Sequence, residues 1–260
     1  MGKENVQGQL WGVRARDWAD LQEGMFAPLF EAILQKTAAG SGTALLDIGC
    51  GSGYFCQMAM KLGAQVSGLD AAESLLAIAR ERVPQGDFRA GEMEALPYAN
   101  QTFNVVTGFN SFQFAANPVN ALKEARRVSR TGAALVIAVL GKPEDTEAGA
   151  YFAALASLLP PPPPGTPGPF ALSFDGALEA LVTQAGMNPG IIEQVNCPWE
   201  YPDERSVLRA LLSPAPSIRV IQHAGELVVR DAILKAIAPF KTASGGYQFR
   251  NKARYMIVKA

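Results

Sequence analysis

The residues best suited to chemistry form one short run, Leu45-Leu46-Asp47-Ile48-Gly49-Cys50-Gly51-Ser52-Gly53. Glycines at every second position bare the backbone, so a ligand can approach the chain closely. The spacing differs from the G-x-G-x-x-G turn that cradles a dinucleotide. With an acid two residues ahead of the first glycine it suits a smaller zwitterionic ligand, whose ammonium group Asp47 can balance. Asp70 stands 23 residues after Asp47, at the end of the next apolar run. A carboxylate there can accept hydrogen bonds from both hydroxyls of a ribose. A third cluster, Ala90-Gly91-Glu92-Met93-Glu94-Ala95-Leu96-Pro97-Tyr98, comes after a third run.

These residues need elements to position them. Ala44–Ile48 is a short continuous apolar run, as expected of a strand buried on both faces. Phe55, Met58, Ala59 and Leu62 recur at helical spacing up to Gly63. Strands at 65–70, 87–90, 103–108 and 133–139 alternate with helices at 75–83 and from Asn117-Pro118, the latter ended by Gly132. Such alternation over 41–142 predicts an α/β fold with a mostly parallel sheet and helices on both faces. Ligands bind such sheets beyond the carboxyl ends of the strands, where the polar clusters of this sequence collect.

Residues 1–40 read as a helical cover, with Trp11 and Trp18 seven apart and an apolar stripe from Leu21 to Ile33. Two tryptophans exceed what a docking helix needs, so this segment is also expected to cover a site. Residues 143–172 form an insertion containing the run Pro160–Pro164, read as a stiff bridging loop. Residues 173–196 supply a helix and a strand. Residues 197–245 form a second, helical insertion interrupted at Pro214 and Pro216, and 246–260 hold two closing strands, Tyr247–Asn251 and Arg254–Val258. All belong to a single domain. Both insertions leave the sheet near its ligand edge. They are therefore expected to close as a lid over the acceptor, with Phe152, Leu155, Leu158, Phe170, Phe174, Trp199, Tyr201, Leu208, Leu211, Leu212 and Ile218 available to line an apolar pocket.

The motifs together resemble those of the class I S-adenosylmethionine-dependent methyltransferases, in particular the methyltransferase type 11 small-molecule branch. The resemblance runs from about Leu45 to Val139 and more weakly to Val258. It implies a Rossmann-like seven-stranded sheet with an antiparallel last strand, S-adenosylmethionine as cofactor and S-adenosylhomocysteine as product. Carried over residue by residue, it implies cofactor contacts from Asp47, Gly49, Cys50, Gly51 and Gly53, and from Asp70 with Ala71 beside it. Glu92 would take the adenine amino group and the Met93 backbone N–H an adenine nitrogen, with Phe109 and Asn110 near the methionine part. The family's Asp after Phe in the fourth strand is Asn104 here. Its proline and one glycine are missing from the Arg127–Ala133 turn.

The resemblance also implies an enzyme that methylates a small, apolar or aromatic acceptor, oxygen being favoured over carbon or nitrogen. The alternative is a fold of this kind that binds the cofactor and catalyses a dehydration or pericyclic step, or acts as a binding module. Methyl transfer needs a base only when the nucleophile carries a proton. His223, the one histidine among 260 residues, is the weak catalytic candidate, with Tyr151, Glu226 and Tyr247 behind it.

Composition narrows the partners. With 23 Lys+Arg against 24 Asp+Glu the net charge is -1, which disfavours a nucleic-acid partner. Asn110-Ser111-Phe112-Gln113 also lacks the prolines found at this place in methylases of planar amines. Three cysteines and one histidine leave too few ligands for a structural metal site and point to a reducing, cytoplasmic compartment. No apolar run approaches the ~20 residues of a membrane span, and the start has no signal-peptide core. A monomer or homodimer is expected.

Overall fold

The structure, a computed structural model, describes residues 3–161 and 168–260. Pro162–Pro164 of the proline run therefore lie outside the described residues. Nine strands are present among those described: β1 (Ala44–Ile48), β2 (Gln65–Asp70), β3 (Asp87–Ala90), β4 (Phe103–Phe109), β5 (Ser129–Leu140), β6 (Ile192–Asn196), β7 (Trp199–Tyr201), β8 (Tyr247–Phe249) and β9 (Lys252–Lys259). Seven make one sheet in the order β3-β2-β1-β4-β5-β9-β6. The first five are mutually parallel, and β9 runs antiparallel to both β5 and β6.

The sheet is buried on both faces, so its strands carry apolar residues without alternation. In β5 the pleat sends Val136, Ala138 and Leu140 into one core and Leu135, Ile137 and Val139 into the other. The first core is closed by helices Ala27–Thr37 and Tyr54–Lys61 and by the insertions. The second is closed by helices Pro118–Val128 and Ala177–Gln184. The chain order reverses direction between β1 and β4, which opens a crevice at their carboxyl ends. Asp47, Asp70, Gly91 and Phe109 all stand at that edge.

Two expectations are corrected. The helix that opens at Asn117 stops at Val128, and Ser129 turns the chain with its Oγ donating to Ala125 O at 2.7 Å. Gly132 lies inside β5, where the pairing with β4 shifts register between Phe103 and Val105. The interruption expected at Pro214 and Pro216 is present, since helix Glu204–Leu212 ends before Pro214. They open helix Ala215–Ala224 as N-cap and early-turn residues, where a missing N–H costs no bond.

The second correction concerns the closing strands. Tyr247–Phe249 does not join the central sheet but pairs with β7 as a separate two-stranded ribbon at the foot of the second insertion. Its side chains explain why. Tyr247 and Phe249 are buried with Trp199 and Tyr201 under helices Glu204–Leu212 and Glu226–Ile237, a packing the edge of the large sheet does not offer.

The insertion holds the N-terminal segment. Tyr201 Oη donates to the buried Gln22 Oε1 at 2.6 Å, Arg209 grips Asp17 at 2.6 Å, and Trp199 meets Phe26 edge to face at 6.0 Å. Leu10 packs with Ala215 and Ile218. Tyr201→Phe leaves the Gln22 carbonyl buried without its donor and is expected to cost about 1–3 kcal/mol. The check is a lower urea midpoint at unchanged m.

Candidate active site

The glycine loop is fixed to β2 by two N–H groups, Gly49 and Cys50, that both donate to Leu69 O at 2.7 and 3.0 Å. Gly51 is left-handed (φ +55°), and a Cβ there would lie 2.7 Å from Glu23 Oε1 and 3.5 Å from Trp18 Nε1. Its lack of a side chain is therefore required twice, by backbone hand and by the close approach of the N-terminal cover. Asp70 interlocks with the same loop: Oδ2 accepts the Gly51 N–H at 2.8 Å and Oδ1 the Ala72 N–H at 2.8 Å. A carboxylate offers about four acceptor sites, so capacity remains for a ligand's hydroxyls.

Asp47, at the end of β1, is buried and accepts Thr107 Oγ1 at 2.7 Å. Burial pushes its pKa up to about 7; the Thr107 bond opposes this, and the charges of Glu23 and Asp70 add to it. Burial also raises Asp70 and Glu23, and pushes the Cys50 thiol well up, so that it stays neutral. Each carboxylate thus sits where an incoming positive charge would favour its ionised form.

Opposite the loop stand residues of the N-terminal cover. Trp18–Gln22 is a single π-helical turn in which the Glu23 N–H reaches back to Trp18 O. The i→i+5 bond brings Trp18 and Glu23 to the same wall, a placement that ordinary α-helical spacing would not give. Trp18 meets Trp11 edge to face at 4.9 Å, and Trp11 meets Phe114 at 5.8 Å. Phe30, Phe55 and Phe109 form a second aromatic group, with centroids 4.6 to 5.5 Å apart.

A concave cleft lies between these walls, lined mostly by apolar and aromatic side chains with a few acids. Asp47, Gly49, Cys50, Gly51, Asp70, Ala71, Glu92, Met93, Phe109 and Asn110 all line it. Gly53 does not. It begins helix Tyr54–Lys61, and its missing Cβ admits Ala79 Cβ, which would lie 2.8 Å away, so its part is helix packing. The two tryptophans do line the cleft, as does Glu23. Glu23 carried no motif, because its partners lie 29 and 59 residues away.

The residues expected to serve catalysis stand elsewhere. His223 is exposed in the last turn of helix Ala215–Ala224 and is absent from the cleft wall. Tyr151 is buried against Ser217 at 2.7 Å, Glu226 pairs with Arg14 at 2.7 Å, and Tyr247 is buried in the small ribbon. No residue of the second insertion lines the cleft among those described. Its apolar side chains are consumed in mutual packing and in bracing the N-terminal segment.

The chemistry of the cleft fits S-adenosylmethionine. Acids surround a bare loop, and three buried polar atoms on its wall, Gln7 Oε1, Asn110 Oδ1 and Ser111 Oγ, make no hydrogen bond within the protein. Such atoms call for a polar ligand. Asn110 is itself left-handed (φ +49°), a conformation asparagine tolerates.

The fold is the Rossmann-like methyltransferase fold. Residues 46–137 match the methyltransferase domain family. A ubiquinone biosynthesis O-methyltransferase of Ruegeria sp. (strain TM1040) is 31% identical over 164 residues, covering 62% of this chain and 66% of the relative. A malonyl-[acyl-carrier protein] O-methyltransferase of Erwinia pyrifoliae is 27% identical over 181 residues, covering 70% and 65%. The match thus spans just under two thirds of each relative's length. The crystal structure of a SAM dependent methyltransferase from Aquifex aeolicus superposes with a TM-score of 0.54 at 15% identity, over 92% of this chain and 95% of that one. Residues 46–137 are thus a methyltransferase domain, similar to that of known O-methyltransferases. Among the described residues no helix is long and apolar enough to cross a membrane.

Gly51→Ala is expected to weaken S-adenosylhomocysteine binding by more than about tenfold, because the added methyl displaces Glu23 or the loop; calorimetry measures it. Asp47 has a second consequence. Its pKa is raised on folding, so the stability it contributes is complete below its unfolded value and is lost as pH rises toward about 7. The stability of the ligand-free protein relative to Asp47→Asn should therefore fall as pH rises from about 4 to about 7. Thermal midpoints of both proteins across that range test the sign.

Proposed function

We propose that the protein transfers the methyl group of S-adenosylmethionine to an oxygen of a small, apolar or aromatic acceptor. The observation that carries this is the pairing of a carboxylate-rich glycine loop with aromatic walls in one cleft. Both relatives are O-methyltransferases, which supports the choice of oxygen. In this reading Asp70 and Ala71 hold the ribose, Glu92 and Met93 the adenine, and Gly49, Cys50 and Gly51 with Asp47 the methionine part. S-adenosylmethionine, when bound, would supply a methyl group on a sulfonium, with neutral S-adenosylhomocysteine as the leaving group.

The protein's share is alignment and exclusion of water. Phe109 and Asn110 place the methionine end, and Trp11, Trp18 and Phe114 close the outer wall. No Lys, Arg or His lines the cleft among the described residues. A proton leaving an acceptor hydroxyl therefore passes to a carboxylate of the wall or to water, not to His223.

The test is incubation with methyl-labelled S-adenosylmethionine and a panel of phenols, aliphatic alcohols, carboxylic acids and amines. Label transferred to hydroxyl oxygen, with equimolar S-adenosylhomocysteine, is the expected result. Cofactor binding with an isomerised or dehydrated product and no label transfer would replace this reading with the non-methylating one. His223→Ala is expected to leave the turnover number within about twofold of the parent.

A further inference from the structure

Glu23 is a buried acid outside every motif of the sequence. It is contributed by the N-terminal cover, yet it makes its bonds to the glycine loop. Its Oε1 accepts the Ser52 N–H at 2.9 Å, and its Oε2 accepts the Ser52 hydroxyl and Arg82 Nη1, the latter at 2.7 Å. Arg82 continues to Ser52 O at 3.1 Å and, through Nη2, to Ala19 O at 2.7 Å. The carboxylate lines the cleft while Arg82 does not. The guanidinium lies behind it, its side chain 19% exposed against 7% for Glu23. Solvent screens the cation more than the anion, and a group inside the cleft meets the carboxylate first.

The other charged groups around Glu23 are alike in sign. Asp47 lies within electrostatic reach, Asp70 acts on Asp47 in turn, and the Cys50 and Cys56 thiols are held neutral by burial. Glu92 and Glu94 line the same cleft, and no cationic side chain does so among the described residues. This excess of negative charge in a partly desolvated space costs free energy until a cation enters.

We propose that Glu23 is a binding residue for the positive charge of the cofactor, held against the glycine loop by Ser52 and Arg82 for that purpose. This rests on the cleft being the S-adenosylmethionine site. Two positive charges answer to the same chemistry, the α-ammonium and the sulfonium, and three ligands separate them. S-adenosylmethionine carries both, S-adenosylhomocysteine only the ammonium, and 5′-methylthioadenosine neither.

Calorimetric Kd values for the three ligands are measured on the full chain and on Glu23→Gln. The expected result is a loss of about tenfold for S-adenosylmethionine with 5′-methylthioadenosine changed less than about twofold. An equal loss for S-adenosylhomocysteine assigns the contact to the ammonium, and a smaller one assigns it to the sulfonium. A loss common to all three ligands, or no loss for any, overturns the proposal and leaves Glu23 a purely structural anchor. Glu23→Asp keeps the charge and supplies a second variant should the first be poorly folded. It is expected to recover part of the S-adenosylmethionine affinity, and a uniform loss across the three ligands there also overturns the proposal. Failure of the parent protein to bind S-adenosylmethionine or S-adenosylhomocysteine would reject the cofactor reading itself, an outcome distinct from both.

Discussion

The contact on which the site depends is that of Glu23 with Ser52 and Arg82. It joins three parts of the chain far apart in sequence: the irregular helical turn of the N-terminal cover, the glycine loop and the helix Glu73–Arg82. It is the cover's polar contact with the loop, and it fixes Glu23 in the cleft wall. A buried ion pair of this kind adds little net stability, since desolvating both partners offsets most of their attraction. Removing one partner is different, because the other is left charged and unpaired, at a cost of about 3–5 kcal/mol. The pair therefore specifies a position more than it stabilises the fold. The glycine at 51 is the matching concession, since any side chain there would occupy the place of the Glu23 carboxylate.

The second insertion acts at one remove. It lines no part of the cleft among the described residues, yet Tyr201, Arg209 and Trp199 bind the segment that does. Changes within helices Glu204–Leu212 or Ala215–Ala224 reach the site through Asp17, Leu10 or Trp11. The N-terminal segment supplies part of the cleft wall, and the insertion packs behind it.

Local features of the sequence were legible because they act locally. A run such as Leu45–Ile48 is a buried strand wherever it lies in such a sheet, and Asp47, Asp70 and Glu92 fall at strand ends by counting residues alone. The first helical stretch and its two tryptophans were readable as a cover for the same reason. The lid was misjudged because apolar residues report burial and not which surface buries them. Trp199, Tyr201 and Leu211 are buried, but against one another and the cover. His223 drew attention for its chemistry, while its exposure on the last turn of a surface helix follows from packing that periodicity does not describe.

By itself the sequence determined the parallel sheet, the crevice at its carboxyl edge and the acids and glycines that line it. Each of these follows from residue type, spacing and backbone hand, which are short-range properties. Only the tertiary structure decided that Glu23 meets Ser52, that Gly53 serves helix packing, that Tyr247 pairs with Tyr201 and that the insertion braces rather than lines the cleft. Those outcomes depend on which distant surfaces come together. That choice is made by the summed burial of many side chains, and no single stretch of the chain encodes it.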